Sequence, residues 1–127
     1  MSLGIFIDSC VIINHLRAKD KANTPLAGVL HQYTEIFLST VVEYEIEVGM
    51  TEFHRELWNS IRKRLKVCPF ETVAVLAACK IKHGLRAKGI QIELADLFIA
   101  ATAIAYDLPL ATLNHKHFEQ IDGLKLL

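Results

Sequence analysis

This 127-residue chain has no excess of charge of one sign, because 14 lysines and arginines balance 14 aspartates and glutamates. A domain that coats nucleic acid is usually strongly basic, so this balance counts mildly against such a partner. Basic residues do cluster in segments 62–66 and 80–88. We interpret both clusters as solvated helix faces.

Cysteines are few and hydrophobic runs are short. The three cysteines are odd in number and form no Cys-x-x-Cys pair, which argues against a disulfide framework and against a structural zinc site. We interpret Cys10, Cys68 and Cys79 as small core residues in a reducing cytosol. Apolar stretches such as 97–101 fall far short of the ~20 residues needed to cross a bilayer, and the N-terminus does not resemble a signal peptide. We expect a soluble, cytoplasmic protein.

Short apolar segments of strand length alternate with helical patterns along the chain. This alternation predicts an α/β fold of three layers, α/β/α, with a central, mostly parallel sheet. The length and the apolar fraction of 52% suit a single domain, 1–127. Thr40 and Glu43 have the spacing of a capping box, which predicts that Thr40 caps a helix. Strands are predicted at 3–7, 36–38, 67–70, 109–112 and 124–126, and helices from about 11 and at 25–33, 40–49, 51–66, 71–88 and 94–106.

Glu45 is a carboxylate in an apolar setting. At about 100° per residue, Glu43 and Glu47 share one side of their helix and Glu45 points nearly the opposite way. Its neighbours three and four positions away are mostly apolar, so Glu45 lies in the stripe that should face the sheet. An unpaired buried carboxylate is costly without a cation. The alternative is an ion pair with a lysine or arginine at the domain edge.

Two aspartates also stand at points where a structural explanation competes with a functional one. Asp96 opens an almost wholly apolar helix, and Asp8 directly follows the first predicted strand. Aspartate is a favoured helix N-cap and turn residue, so each could serve only to start a helix.

Topology brings these acids together. In an open parallel sheet the ligand crevice lies beyond the carboxyl ends of the strands. Asp8 and Asn114 follow two strands closely, and the helices that carry Glu45 and Asp96 begin on the same edge if the connections are short. Carboxylates gathered there would repel one another unless a hard divalent cation joined them. The pattern therefore predicts a Mg²⁺ or Mn²⁺ site, at which a bound water could attack a phosphodiester.

Four segments together resemble the PIN-domain family, especially its VapC-like toxin branch. They appear in family order and span nearly the whole chain. The segments are Ile-Asp-Ser-Cys-Val-Ile-Ile at 7–13, Glu-Ile-Glu-Val-Gly at 45–49, Asp-Leu-Phe-Ile-Ala-Ala-Thr-Ala at 96–103 and Leu-Ala-Thr-Leu-Asn at 110–114.

The resemblance implies a Mg²⁺- or Mn²⁺-dependent endoribonuclease, inhibited by a cognate antitoxin protein and forming a homodimer. Many relatives carry an acid where this chain has His117, and this difference leaves open whether a second metal binds. Matched to the family motifs, the invariant acids are Asp8, Glu45 and Asp96, the fourth catalytic position is Asn114, and the hydroxyls near the metal are Ser9 and Thr112.

Other functions of similar folds fit less well. A receiver-like signalling domain would need an aspartate at the end of a central strand, and the strand at 67–70 ends without one. A phosphatase of the haloacid dehalogenase type would need Asp-x-Asp where this chain has Asp-Ser-Cys at 8–10. The remaining alternative is a PIN-fold binding module with weak or lost catalysis. The neutral charge and His117 favour that alternative, whereas the three matched acids argue against it.

Overall fold

The computed structural model describes residues 4–127, so Leu3 of the first predicted strand lies outside the described residues. Four strands form one sheet in the order β3-β2-β1-β4, and every pairing between them is parallel. The predicted α/β class with a parallel sheet is confirmed. The strands are β1 (Gly4–Ile7), β2 (Glu35–Ser39), β3 (Lys66–Cys68) and β4 (Leu110–Ala111).

Among residues 4–127, seven α-helices surround this sheet. Six of them lie close to the predicted helices, and the last, a single turn after β4, is not predicted by the sequence. A short 3-10 turn at Lys21–Asn23 separates the first two. No helix among residues 4–127 has the length and apolar character that crossing a membrane requires. The helices are α1 (Ser9–Arg17), α2 (Pro25–Gln32), α3 (Thr40–Val48), α4 (Glu52–Arg62), α5 (Thr72–Ala87), α6 (Leu94–Ala105) and α7 (His115–Phe118).

Strand β1 lies at the centre of the sheet and is buried along its whole length. Phe6 is in register with Phe37 of β2 on one side and with Leu110 of β4 on the other. Because the strands are parallel, their carboxyl ends meet at one edge. The amide of Asp8 extends the pairing by donating to the carbonyl of Ala111 at 2.9 Å.

Helix α6 lies inside the protein, as its nearly continuous apolar sequence predicts. Leu97, Ile99 and its alanines from 100 to 103 are all buried. Small alanine side chains allow neighbouring backbone to approach closely, and the broadest helix–helix contact in the fold joins α6 to α5. The position of Asp96 is therefore fixed by a densely packed element.

Three sequence expectations are wrong in detail. Ser39, not Thr40, caps α3, since its hydroxyl accepts a hydrogen bond from the amide of Val42 at 3.1 Å. Cys79 is exposed and is not a core residue. The predicted edge strand at 124–126 is reduced to a single bridge between Leu126 and Leu110, because β4 offers only two residues for pairing.

Helices α5 and α6 end in the same way but with different residues. In each, a residue with positive φ follows the last turn, and the next amide bonds to the carbonyl five positions earlier, which is the Schellman arrangement. The residue with positive φ is Gly89 after α5, with φ of 71°, and Asp107 after α6, with φ of 53°. Aspartate bears a steric cost in this region that glycine does not.

Exchanging these residues should therefore change stability in opposite directions. Asp107→Gly should raise the free energy of unfolding by up to about 1 kcal/mol, because it removes that steric cost. The ion pair with Lys125 that it also removes lies at the surface and contributes little. Gly89→Ala should lower it by about 1 kcal/mol. Denaturant unfolding of both variants measures the two changes. A loss of stability in the Asp107 variant would contradict the steric cost assigned to this position.

Candidate active site

Asp8 stands at the carboxyl end of β1 and is only 4% exposed. One carboxylate oxygen accepts from the amide of Ser9 at 2.8 Å, so the residue does cap α1. The other oxygen accepts from the hydroxyl of Thr112 at 2.8 Å, across the strand ends. Asp8 therefore caps α1 with one oxygen, and its second oxygen contacts Thr112 outside that helix.

Thr112 orients Asp8 from the end of β4. It is 5% exposed, and its hydroxyl oxygen also accepts from the amide of Asn114 at 3.0 Å. The threonine thus links the segment that carries Asn114 to the carboxylate of Asp8. Asn114 itself is exposed at the start of α7, where its side chain makes no capping hydrogen bond.

Glu45 extends from α3 toward the same edge of the sheet. Its Oε1 atom is buried and has no hydrogen-bond partner. Burial raises the pKa of Glu45, a hydrogen bond with the Ser9 side chain opposes the change, and the charges of Asp8 and Asp96 raise the pKa further. Among residues 4–127 no lysine or arginine forms an ion pair with Glu45, so the alternative of an edge ion pair is wrong.

The neighbouring glutamates face away, as helical periodicity predicts, but for different reasons. Glu43 forms an ion pair with Arg62 and no capping box. Glu47 is not simply solvated, because it accepts from the indole Nε1 of Trp58 at 2.7 Å and lies 2.9 Å from a guanidinium nitrogen of Arg55. These contacts lower the pKa of Glu47 through hydrogen bonds with Arg55 and then Trp58.

Asp96 is not the N-cap of α6. The helix begins at Leu94 with Glu93 in the cap position, which places Asp96 in the first turn. Its side chain is 16% exposed and lies 3.1 Å, Oδ2 to Nδ1, from His117. Burial raises the pKa of Asp96, His117 opposes this change, and the charges of Asp8 and Glu93 raise the pKa further.

Two further side chains, Cys10 and His117, lie against the site residues, although the sequence analysis did not assign them to the site. The thiol of Cys10 lies 3.5 Å from both Asp8 Oδ2 and Thr112 Oγ1, and burial raises its pKa, so it stays a neutral thiol. His117 contacts Asp96 from α7. The signals in the sequence are that Cys10 comes two residues after Asp8, and that His117 stands where many relatives carry an acid, just before the buried Phe118.

Acids pair with some residues of both basic clusters, and in segment 80–88 Lys88 lies 3.4 Å from Asp122. Arg62 pairs with Glu43, and Lys66 pairs with Glu35. The interpretation of segment 62–66 as a solvated face is consistent with these pairs.

The donor set fits a hard divalent cation. Asp8, Glu45 and Asp96 supply carboxylate oxygens, the ligands that Mg²⁺ and Mn²⁺ prefer, and the unpartnered Oε1 of Glu45 is a buried acceptor without a donor. As they stand, no three His, Cys, Asp or Glu side chains in residues 4–127 form a ready set of metal ligands. Asp96 is directed to His117, so binding requires its carboxylate to turn toward the ion.

Comparison with known proteins gives a consistent family assignment. A model of the PIN domain matches residues 5–124. Ribonuclease VapC10 of Mycobacterium tuberculosis is 35% identical over 122 residues, which cover 95% of this chain and 90% of that protein. Ribonuclease VapC1 of Methanocaldococcus jannaschii is 30% identical over 125 residues, which cover 96% of this chain and 85% of that protein.

A solved structure has the same fold. The structure is that of VapBC2 from Rickettsia felis, bound to a DNA fragment from the promoter. It superposes with a TM-score of 0.84 at 22% identity, over 98% of this chain and 97% of that one. At this identity the likeness supports the fold alone.

Burial of the carboxylates, together with their mutual repulsion, has a measurable consequence in the metal-free protein. Because the pKa values of Glu45 and Asp96 are raised above their ordinary values of 4.5 and 3.8, the folded protein binds protons more tightly than the unfolded chain. The free energy of unfolding of the metal-free protein should therefore fall as pH rises from below these ordinary values through the raised pKa values. Asp96→Asn should weaken that dependence and melt no lower than the wild type at neutral pH. Thermal melts in chelator between pH 4 and 8 measure both effects.

Metal provides the control for this stability prediction. Mg²⁺ or Mn²⁺ should raise the melting temperature of the wild type, because the ion binds only the folded site. Asp96→Asn should erase that shift. A variant that melted well below the wild type in chelator, or that kept the full metal shift, would show that Asp96 is only structural.

Proposed function

The chain belongs to the PIN domain family, and from that premise we propose that it is a metal-dependent endoribonuclease, the toxin of a toxin–antitoxin pair. The relatives named Ribonuclease VapC support the activity. The observation that carries the proposal is the buried, unpartnered Oε1 of Glu45, in the electrostatic field of Asp8 and Asp96. This arrangement is unfavourable in a protein that binds no cation.

We assign the metal ligands as Asp8, Glu45 and Asp96, and the ion as Mg²⁺ or Mn²⁺. When bound, such an ion lowers the pKa of a coordinated water and stabilises charge on a phosphodiester. The chain's own contribution is to hold the ligands in place. Thr112 fixes one oxygen of Asp8 and the Ser9 amide fixes the other.

Two further groups assist the reaction in this proposal. The Ser9 side chain hydrogen-bonds Glu45 and restrains its carboxylate. Asn114, exposed beside Thr112, offers a neutral amide to the phosphate or the attacking water. Hydrolysis adds water across one P–O bond of the RNA, and the leaving oxygen takes up a proton.

A cognate antitoxin protein and a second copy of the chain are the proposed partners. The resemblance of the four sequence segments to the VapC-like toxin branch supports the antitoxin. Helix α5 exposes three apolar side chains within four residues, Val73, Val75 and Leu76. Exposed apolar surface can mark a protein interface, which supports a homodimer. The proposed compartment is the cytoplasm, where RNA is available, and the proposed unit is one domain, 1–127.

Activity should depend completely on the divalent ion. Purified protein in excess chelator should barely cleave RNA, and Mg²⁺ or Mn²⁺ should restore cleavage, because the carboxylates alone would repel the phosphate. Cleavage of a labelled RNA with and without metal is the measurement. Equal rates in both conditions would refute the proposal, whereas metal binding without cleavage would favour a catalytically inactive binding module.

The three glutamates of α3 provide a matched series. Glu45→Gln should lower the cleavage rate by more than about 100-fold, since loss of even an outer partner of a metal ligand costs about 10–100-fold. Glu43→Gln and Glu47→Gln should keep most of the activity. Glu47→Gln should melt lower, because Trp58 and Arg55 lose a charged acceptor.

Circular dichroism of all three glutamine variants controls for folding. Loss of cleavage in the folded Glu43 variant alone would mean that the metal-facing side of α3 is wrongly assigned.

A further inference from the structure

The imidazole of His117 lies at the solvent side of the carboxylate cluster. It belongs to the short helix α7, which Phe118 anchors in the core at 1% exposure. The His117 side chain is 54% exposed, while the Asp96 side chain that it contacts is 16% exposed. The ring therefore lies on the solvent side of Asp96, and the charges of Asp96 and Asp8 both act on Glu45.

The spacing between His117 and Asp96 suits two neighbouring ligands of one ion. Their nearest atoms, Nδ1 and Oδ2, are 3.1 Å apart. Ligands at adjacent corners of an octahedron with bonds of about 2.1 Å lie about 3 Å from each other. A metal could thus enter between the ring and the carboxylate without moving α7, once the ring presents the Nδ1 lone pair and keeps its proton on Nε2.

We propose that His117 is a direct nitrogen ligand of the ion held by Asp8, Glu45 and Asp96, and that it makes the site prefer Mn²⁺ to Mg²⁺. Mg²⁺ requires oxygen ligands in near-ideal geometry, whereas imidazole binds transition ions well. A mixed oxygen and nitrogen set therefore favours Mn²⁺. This inference rests on the proposed metal site and adds a ligand and an ion preference to it.

His115 provides a matched control on the same helix. Its Nε2 lies 3.0 Å from the carbonyl oxygen of Leu127, so its ring is engaged at the C-terminus. His115→Ala removes one exposed imidazole two positions away from His117. His117→Ala removes the proposed ligand, and His117→Asp replaces its nitrogen with oxygen.

Pulsed electron paramagnetic resonance of bound Mn²⁺ tests the ligand directly. Wild type and His115→Ala, stripped with chelator and loaded with one equivalent of Mn²⁺, should show the ¹⁴N coupling of a bound imidazole. ¹⁵N-histidine labelling should change that coupling. His117→Ala and His117→Asp should lose it while still binding the ion.

Calorimetric titrations with Mn²⁺ and with Mg²⁺ test the preference. His117→Asp should lower the ratio of Mn²⁺ to Mg²⁺ affinity by about tenfold or more, and His115→Ala should leave the ratio unchanged. Thermal melts of each variant show that it is folded.

The outcomes separate this inference from the proposed function. Mn²⁺ bound without nitrogen coupling, or a ratio that His117→Asp does not change, would overturn the role of His117 and leave the carboxylate site intact. Failure of the wild type to bind Mn²⁺ would overturn both.

Discussion

The parallel pairing of β1 with both β2 and β4 determines where every polar group of the site lies. Its register aligns Phe6 with Phe37 and with Leu110, so the residues after these strands come to one edge. Asp8 and Thr112 meet there directly. Helix α3 starts at the same edge after β2 and carries Glu45 toward it. A shift of β4 by one residue would exchange the inward and outward side chains of that strand and remove Thr112 from Asp8.

Three acids held close together are stable without metal only if other groups offset their repulsion. In this chain the offset is made of weak contributions: hydroxyl and amide hydrogen bonds to Asp8, a hydrogen bond between Ser9 and Glu45, and the imidazole of His117 beside Asp96. None of these is a lysine or arginine. A lysine or arginine beside these acids would stabilise the empty site and compete with the metal. Among residues 4–127 none forms an ion pair with them, which suits a site that binds a diffusible ion.

Much of this arrangement follows from the sequence, because hydrophobic periodicity reports directly on which face of an element is buried. It places Glu45 opposite Glu43 and Glu47, puts α6 in the interior and gives the parallel sheet. Contacts between distant segments leave no such periodic signal. The pairing of His117 with Asp96, the ion pair of Glu43 with Arg62 and the exposure of Cys79 all depend on where separate elements meet, and helix caps compete within one or two residues, as Ser39 and Thr40 do. The roles of the six assigned site residues stay predictions.

The central claim is that Asp8, Glu45 and Asp96 bind one ion together. Anomalous diffraction from crystals grown with Mn²⁺ tests it most directly, since the signal locates the metal independently of the protein atoms. We predict a single strong anomalous peak within coordination distance, about 2.0–2.4 Å, of an oxygen from each of the three carboxylates. A peak elsewhere on the protein, or none at this edge of the sheet with Glu45 Oε1 still unpartnered, would contradict the account.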